Sequence, residues 1–270
     1  MPELPEVETV ARSLGPELVG RCVVAVTVRE RRLRGGVARS FAARLTGRRI
    51  DGLARRGKYV LATLDDGRIW LVHLGMTGRL TLGPGDGAPA RHDHVVVRLD
   101  DGRAVTYNDA RRFGRMAVIE PAALDAETGA GLDPLGPAFT PAALFALARH
   151  RRASIKALLM DQRRVAGLGN IYGNEILFRA GVHPGRRAGR LSRAECGRIV
   201  EATRAVLGEA IRRGGSSISD YRDGLGRTGW FQLDHRVYDR AGEPCRRCGT
   251  PIRQRSIVGR SSFYCPRCQR

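Results

Sequence analysis

Through the first 120 residues the apolar positions come in short runs, rich in β-branched side chains and broken at regular intervals by polar turns. "CVVAVTV" (22–28), "KYVLATL" (58–64), "RIWLVHL" (68–74), "HVVVRL" (94–99) and "RMAVIE" (115–120) predict strands. Asp65-Asp66-Gly67 and Asp101-Gly102 carry the residues of tight hairpin turns, and "GPGDGAPA" (83–90) reads as a flexible loop. Ahead of the first strand the spacing fits one helix. Pro5 suits its first turn, and Glu6 and Glu8 place negative charge at its positive end. The expectation for 1–120 is a β-sandwich or barrel flanked by a helix.

The period then changes. Residues 121–140 are rich in Pro, Gly and Ala with little periodicity, and read as an interdomain linker. Beyond them the pattern is helical. Thr140-Pro141 can cap one helix, and Ser192 with Glu195 makes the capping box of another. Cys196, Ile199, Val200, Thr203, Leu207, Ala210 and Ile211 fall on one face of that second helix, and Gly214-Gly215 ends it. The expected layout is therefore a domain over 1–120, a linker over 121–140, a helical domain over 141–235 and a small module over 236–270. No run of about 18 apolar residues occurs, so no membrane span is expected.

The small module carries the most specific local signal. Cys245-Arg-Arg-Cys248 and Cys265-Pro-Arg-Cys268 are separated by 16 residues. Two such pairs can supply four thiolates to a tetrahedral zinc ion. With all four positions taken by protein, the ion would be structural, and no catalytic metal or organic cofactor is expected. Two disulfides or free thiols are the alternative, which a reducing cytoplasm disfavours. Cys22 and Cys196 stand alone and read as small core residues.

Charge adds a partner. The chain carries 47 Lys and Arg against 27 Asp and Glu, a net +20 spread along its whole length. A folded protein this basic points to a polyanion, with nucleic acid foremost, although a codon bias toward Arg would leave the same trace. Lys58 and Lys156 are the only lysines. In a chain that writes Arg almost everywhere, they mark positions that need a compact, titratable ammonium. Between two helical patterns, "DQRRVAGLGNIYGNEILF" (161–178) offers Gly167 and Gly169 for a tight turn and Asn170 at a helix start, where backbone amides bind phosphate. No strand precedes these glycines, so a dinucleotide loop is not indicated.

Together "PELPEVET" (2–9), "KY" (58–59), "HLGMTG" (73–78), "HDH" (92–94), "NDARRFG" (108–114), "GLGNIY" (167–172) and the four-cysteine module closely resemble, in order and over essentially the whole chain, the bacterial formamidopyrimidine-DNA glycosylases. Leu4 and Pro5 favour this purine-lesion branch over the related endonuclease VIII branch. The resemblance implies an α+β multidomain fold: an N-terminal β-sandwich flanked by helices, a helix–two-turn–helix domain and a C-terminal zinc-finger β-hairpin. It implies that Pro2 is the nucleophile, Glu3 the neighbouring acid/base and Lys58 the proton donor for β-elimination, while Arg260 binds a phosphate in δ-elimination. It places Glu6 near the lesion, and Met76, Arg111 and Phe113 in the gap left by the extruded base. His92, Arg151, Lys156 and Asn170 fall on contacts to the DNA backbone. The implied partner is damaged double-stranded DNA, and the implied form is a monomer in the bacterial cytoplasm. Ala110 stands where many members carry Pro, and residues 216–232 fall on the family's variable base-recognition loop.

The chemistry is coherent on physical grounds. A glycosylase that also cuts the strand needs an amine to attack the sugar C1′. A terminal α-amine titrates near 7.7–8.0 against about 10.4 for lysine, so more of it is free at neutral pH. Proline is a secondary amine, so its condensation with the sugar gives a charged iminium directly. Glu3 and Lys58 can then move protons. The damaged base must leave the stack to be reached. Phe113 can wedge, Met76 can fill apolar space and Arg111 can hydrogen-bond the orphaned partner base. Standing alone, Pro2-Glu3 would read as a helix start, "RRFG" as a strand end with one buried aromatic, and His73 as a strand residue. The competing functional readings are an oxidised-pyrimidine glycosylase with the same chemistry and a silent DNA-binding paralogue.

Overall fold

Eight N-terminal strands pair into two antiparallel sheets of four. They are β1 (Val23–Val28), β2 (Ile50–Arg56), β3 (Tyr59–Leu64), β4 (Ile69–His73), β5 (Arg79–Pro84), β6 (Asp93–Leu99), β7 (Arg103–Asn108) and β8 (Arg115–Ile119). One sheet runs β1-β6-β7-β5 and the other β2-β3-β4-β8. This computed structural model describes residues 1–217 and 221–270. The chain forms two compact units, Met1–Thr128 with Arg213–Trp230, and Gly129–Arg212 with Phe231–Arg270.

Five strands match the runs read from sequence, and the Asp65-Asp66-Gly67 and Asp101-Gly102 turns join β3 to β4 and β6 to β7. Three strands carry weaker patterns. β2, "IDGLARR", breaks its alternation at an irregularity between Ile50 and Gly52. β7, "RAVTYN", is short and lies between β6 and β5. β5 runs into the stretch read as a loop, pairing Gly83 with Ala104 and Pro84 with Arg103. Proline is tolerated there because β5 is an edge strand, where a missing N–H breaks no ladder bond.

The core of the first unit draws on both sheets. Val23, Val95, Val97 and Val105 from one cluster with Ile50, Val60, Trp70, Val72 and Met116 from the other. The helix α1 (Leu4–Leu18) seals this core through Val7, Val10, Leu14 and Leu18, each 0–1% exposed. Burial of each is worth roughly 1.5–3 kcal/mol, enough to anchor the amino-terminal helix firmly. On the other face of the second sheet, Leu61, Ile69, Leu71 and Ile119 form a separate cluster. Ala123 and Leu124 pack on it from a 3-10 turn and the short helix α3 (Leu124–Thr128), so the first part of the expected linker is ordered cover. A further short helix, α2 (Phe41–Leu45), follows β1.

The second unit contains α4 (Pro141–Ala148), α5 (Ile155–Met160), α6 (Asn170–Ala180), α7 (Arg193–Arg212) and a hairpin of β9 (Arg253–Ile257) and β10 (Arg260–Tyr264). Thr140 Oγ1 accepts from Ala143 N at 3.1 Å, capping α4. Ser192 and Glu195 form the expected box, with Glu195 Oε2 accepting from Ser192 N at 2.8 Å and Ser192 Oγ from Glu195 N at 3.2 Å. The cysteine module packs on α6: Phe178 shares a core with Val237, Ile252, Phe263 and two of the cysteines. Glu175, in the middle of α6, accepts from the backbone N–H of Arg236, Val237 and Tyr238 at 2.8–3.0 Å. Burial pushes the Glu175 carboxyl up from its ordinary range, against these three donors.

The segment Arg213–Trp230, read from sequence as part of the helical domain, belongs to the first unit. Tyr221 Oη donates to the Glu6 carbonyl at 3.1 Å, and Gly224 N donates to Ser13 Oγ at 2.9 Å. The chain changes partner abruptly after α7, at Arg213, and no periodic pattern announces that change. Residues 218–220 of the expected base-recognition loop lie outside the described residues. Among the described residues, no helix is long and apolar enough to cross a membrane.

Candidate functional site

The amino terminus is fixed by a carboxylate. Pro2 and Glu3 are buried, with Glu3 at the N-cap position of α1. Glu6 Oε2 accepts from Glu3 N at 2.8 Å, and Glu6 Oε1 accepts from Ser216 N at 2.8 Å. One side chain thus holds residue 3, and through it Pro2, against the 213–230 segment. Gly215 is needed beside it: its φ is +81°, and a Cβ there would come 2.9 Å from Glu6 Oε1.

Lys58, 7% exposed, sits on the turn between β2 and β3. Arg55 ties this turn to α1: its Nε donates to Glu8 Oε2 at 2.8 Å and its Nη1 to the Gly57 carbonyl at 3.2 Å. The ammonium of Lys58 acts on His73. Burial first, then this charge, lowers the His73 imidazole to about 4, so the ring is neutral at physiological pH. Its Nδ1 accepts from Gly75 N at 3.0 Å and its ring lies 4.8 Å from that of Tyr59. His73 therefore orders the turn that carries Met76.

Met76, Arg111 and Phe113 are presented by two loops locked to each other. Met76 is 38% and Phe113 44% exposed, unusual for apolar side chains of this size. The Arg111 guanidinium stacks 4.6 Å over the Phe113 ring. Beneath them lies Asp109, fully buried. Its carboxylate accepts from Thr77 Oγ1 at 2.6 Å, Tyr107 Oη at 3.0 Å and Gly114 N at 2.9 Å. Burial and this carboxylate push the Tyr107 phenol well above its ordinary range, so it stays a donor. The loops touch backbone to backbone, and a Cβ on Gly75 would fall 2.5 Å from Gly114 N. His92 is partly buried, its carbonyl accepting from Asp109 N at 3.1 Å.

In the second unit, Asn170 opens α6. The preceding glycine turn is pinned by Gln162, whose Oε1 accepts from Gly167 N at 2.9 Å and whose Nε2 donates to the Leu168 carbonyl at 2.7 Å. Asn170 Oδ1 is buried and has no partner among the described residues. Arg151 Nε donates to the Leu147 carbonyl at 2.7 Å. Lys156 is 1% exposed, and its Nζ donates to the Ser261 carbonyl at 2.8 Å and Ser262 Oγ at 2.7 Å. It grips the strand that begins at the exposed Arg260, and Asn174 Oδ1 grips it again by accepting from Phe263 N at 2.9 Å. The β9–β10 turn runs through Val258 and Gly259, at φ +51° and +67°.

The sulfur atoms of Cys245, Cys248, Cys265 and Cys268 all lie within 4.8 Å of one another, and none is in a disulfide. A tetrahedron with zinc–sulfur bonds of 2.3 Å has edges of about 3.8 Å. The 3.5 Å and 4.0 Å separations of Cys248–Cys265 and Cys245–Cys268 suit it. Backbone N–H groups of Arg247 and Cys268 point at Cys245 and Cys265 sulfur, each at 3.4 Å, as they do toward thiolates. The donor set fits a closed zinc site.

Family models cover most of this chain: the formamidopyrimidine-DNA glycosylase N-terminal domain matches residues 1–116, the H2TH domain of the same enzymes 130–222, and a zinc finger found in FPG and IleRS 242–270. The chain belongs to the formamidopyrimidine-DNA glycosylase family. The formamidopyrimidine-DNA glycosylases of Cereibacter sphaeroides and Thiobacillus denitrificans are 50% and 49% identical to it, with both chains covered in full. The Thermus thermophilus Fpg crystal structure superposes with a TM-score of 0.89 at 40% identity, covering 99% of this chain and 98% of that one. Lactococcus lactis Fpg in complex with abasic-site DNA superposes at 0.92 with 33% identity and 99% coverage of each chain. The same enzyme with formamidopyrimidine-dG DNA superposes at 0.91, with 33% identity, 99% of this chain and 100% of that one.

Within this glycosylase framework, the residues that sequence reasoning passed over are the ones underneath. Arg55, Asp109, Gln162 and Asn174 touch none of the expected chemistry, yet each braces a turn, loop or strand that carries a residue expected to, and Glu175 braces the 236–238 backbone ahead of the cysteine module. Asp109 lies inside "NDARRFG", and Asn174-Glu175 lie among the buried apolar residues of α6. A buried polar residue in an apolar element was the available signal.

Proposed function

We infer that this chain is a DNA glycosylase of base excision repair that removes oxidised purines and then cleaves the strand at the abasic site. The observation that carries this reading is the buried Pro2-Glu3 terminus held by Glu6, in a chain matched end to end by formamidopyrimidine-DNA glycosylases. Once Met1 is removed, the Pro2 nitrogen attacks C1′ of the damaged nucleotide and the base departs with the bonding electrons. The nitrogen then loses its proton and the C1′–O4′ bond opens, with a proton taken up at O4′, to give the iminium. This acidifies C2′, whose proton leaves to a base as β-elimination breaks the C3′–O bond and expels the 3′ phosphate. Glu3 exchanges protons at the sugar, and Lys58 supplies one as the strand breaks. Arg260 holds a phosphate for the second, δ-elimination. Met76, Arg111 and Phe113 occupy the space of the extruded base, supported by the Asp109-locked loops. His92, Arg151 and Asn170 take backbone phosphates. Lys156 serves the same surface by fixing the hairpin of Arg260. The zinc ion is structural and the reaction runs without a catalytic metal. We read the working form as a monomer in the bacterial cytoplasm.

Borohydride trapping tests this. Methionine-free protein with a duplex containing 8-oxoguanine should yield a covalent adduct at Pro2, identified by peptide mass spectrometry. An adduct only on oxidised-pyrimidine duplexes would establish the pyrimidine reading instead. No adduct on either, with DNA binding intact, would establish a silent paralogue.

A further inference from the structure

The connection from α6 to α7 carries three arginines, Arg186, Arg187 and Arg190, which line an open cavity of about 530 Å³. In a chain with net charge +20, exposed arginines are ordinary. These differ in how they are held. Ile155 N donates to the Arg186 carbonyl at 2.8 Å, Ala188 N to the Ala153 carbonyl at 2.9 Å and Gly189 N to the Arg151 carbonyl at 3.1 Å. Ser154 and Arg187 pair as an isolated antiparallel bridge. Gly189 permits the close approach, since a Cβ there would lie 2.9 Å from the Arg151 oxygen. Ala188 and Leu191 are buried, at 1% and 4% exposure. The backbone under the three guanidinium groups is therefore fixed.

The charges are also under-neutralised. Among the described residues Glu195 is the one acidic partner, facing Arg186 Nη2 at 3.1 Å, and it is already engaged with Ser192 N in the α7 capping box. Arg186 Nε is buried with no acceptor among the described residues. The Arg187 and Arg190 side chains are exposed and have no hydrogen-bond or ion-pair partner among the described residues. Guanidinium groups carried on a fixed backbone around a concavity suit the tetrahedral oxygens of a phosphodiester.

We propose that Arg186, Arg187 and Arg190 form an accessory phosphate cradle that grips the DNA backbone outside the stretch contacted by Asn170 and Arg260. The proposal rests on the DNA-binding reading above. It names DNA because the cradle is hydrogen-bonded to 151–155, a segment that begins at Arg151, assigned above to backbone phosphates, and leads into Lys156, which holds the Arg260 hairpin. The cradle lengthens the footprint of the second unit by one or two phosphates and has no part in the chemistry.

The test is the salt dependence of binding to a series of abasic-analogue duplexes shortened stepwise from either end. R187A/R190A should bind the longest duplex several-fold more weakly than the unmodified protein. Its slope of log K against log salt should be smaller by about 1–2. On duplexes trimmed past the cradle the two proteins should bind alike. R187K/R190K should keep the slope, because the slope counts charges. Borohydride trapping at saturating DNA should be unchanged, which separates this proposal from the glycosylase reading. An unchanged slope on the longest duplex would overturn the cradle, and so would an equal loss on every duplex, which would place these arginines inside the lesion footprint.

Discussion

Asp109 illustrates how much rests on single side chains here. Its carboxylate satisfies Thr77, Tyr107 and Gly114 at once, in a site without water access. Asp109→Asn keeps the size but turns an amide toward donors. Leaving even one donor unmatched costs roughly 1–3 kcal/mol. Chemical denaturation should show a loss of that order, with borohydride trapping reduced more on duplex than on single-stranded substrate, because the loops proposed to fill the extruded base's space lose their lock. Lys58 is a sharper case. Lys58→Arg should preserve DNA affinity and base release and slow strand cleavage by about 100-fold or more, the lower range for a lost general acid. Equal cleavage rates in gel assays would show that the position needs only charge. Neither residue stands out equally in sequence. Lys58 was conspicuous as one of two lysines, whereas Asp109 is one acid among 27 and is distinguished only by where it is buried.

Among the elements, legibility follows the source of the stabilisation. Strands with their own apolar alternation, such as β3 and β4, were readable, as were α4 and α7 with their caps. β2 and β7 are made by their neighbours: each is hydrogen-bonded into a sheet whose other strands supply the order. The cysteine module looked self-contained because its ligands are local. Its hairpin is nevertheless clasped from α5 and α6, by Lys156 and Asn174 at separations of 106 and 89 residues. Contacts so distant leave no periodic trace. Lys156→Met should therefore loosen the hairpin while sparing the metal. Hydrogen exchange should accelerate across 253–264, and zinc content should remain one per chain. Faster exchange accompanied by zinc loss would mean that the cysteines, not the lysine, set the hairpin's order.

Taken as a whole, the molecule combines a metal-dependent module with acid-sensitive interiors. Chelation should release the β9–β10 hairpin and weaken DNA binding through loss of the phosphate contact proposed for Arg260. The circular dichroism of the β-sandwich should persist, because its core contains no cysteine cluster. Binding that survives complete zinc removal would contradict that role. Acid acts elsewhere. Burial lowers His73 and His235 from 6.5 to about 4. In that window the unfolded chain binds protons that the native chain does not, so stability rises with pH between about 4 and 6.5 and is fully present above it. Each group contributes up to about 3 kcal/mol. Thermal unfolding should show Tm falling as pH drops through this range, and His73→Gln should flatten the dependence in part.

The carboxylate of Glu6, bonded both to Glu3 N and to Ser216 N, has a consequence for biosynthesis. Those partners are separated by most of the chain, and at ribosomal speeds the second emerges roughly 10–40 s after the first. Throughout that interval the nascent leading end lacks its bond to Ser216, and under the proposed mechanism this is when Met1 is removed. Only a nearly finished polypeptide can supply the second partner, so under the proposed mechanism the end offered as nucleophile emerges long before its second tether does.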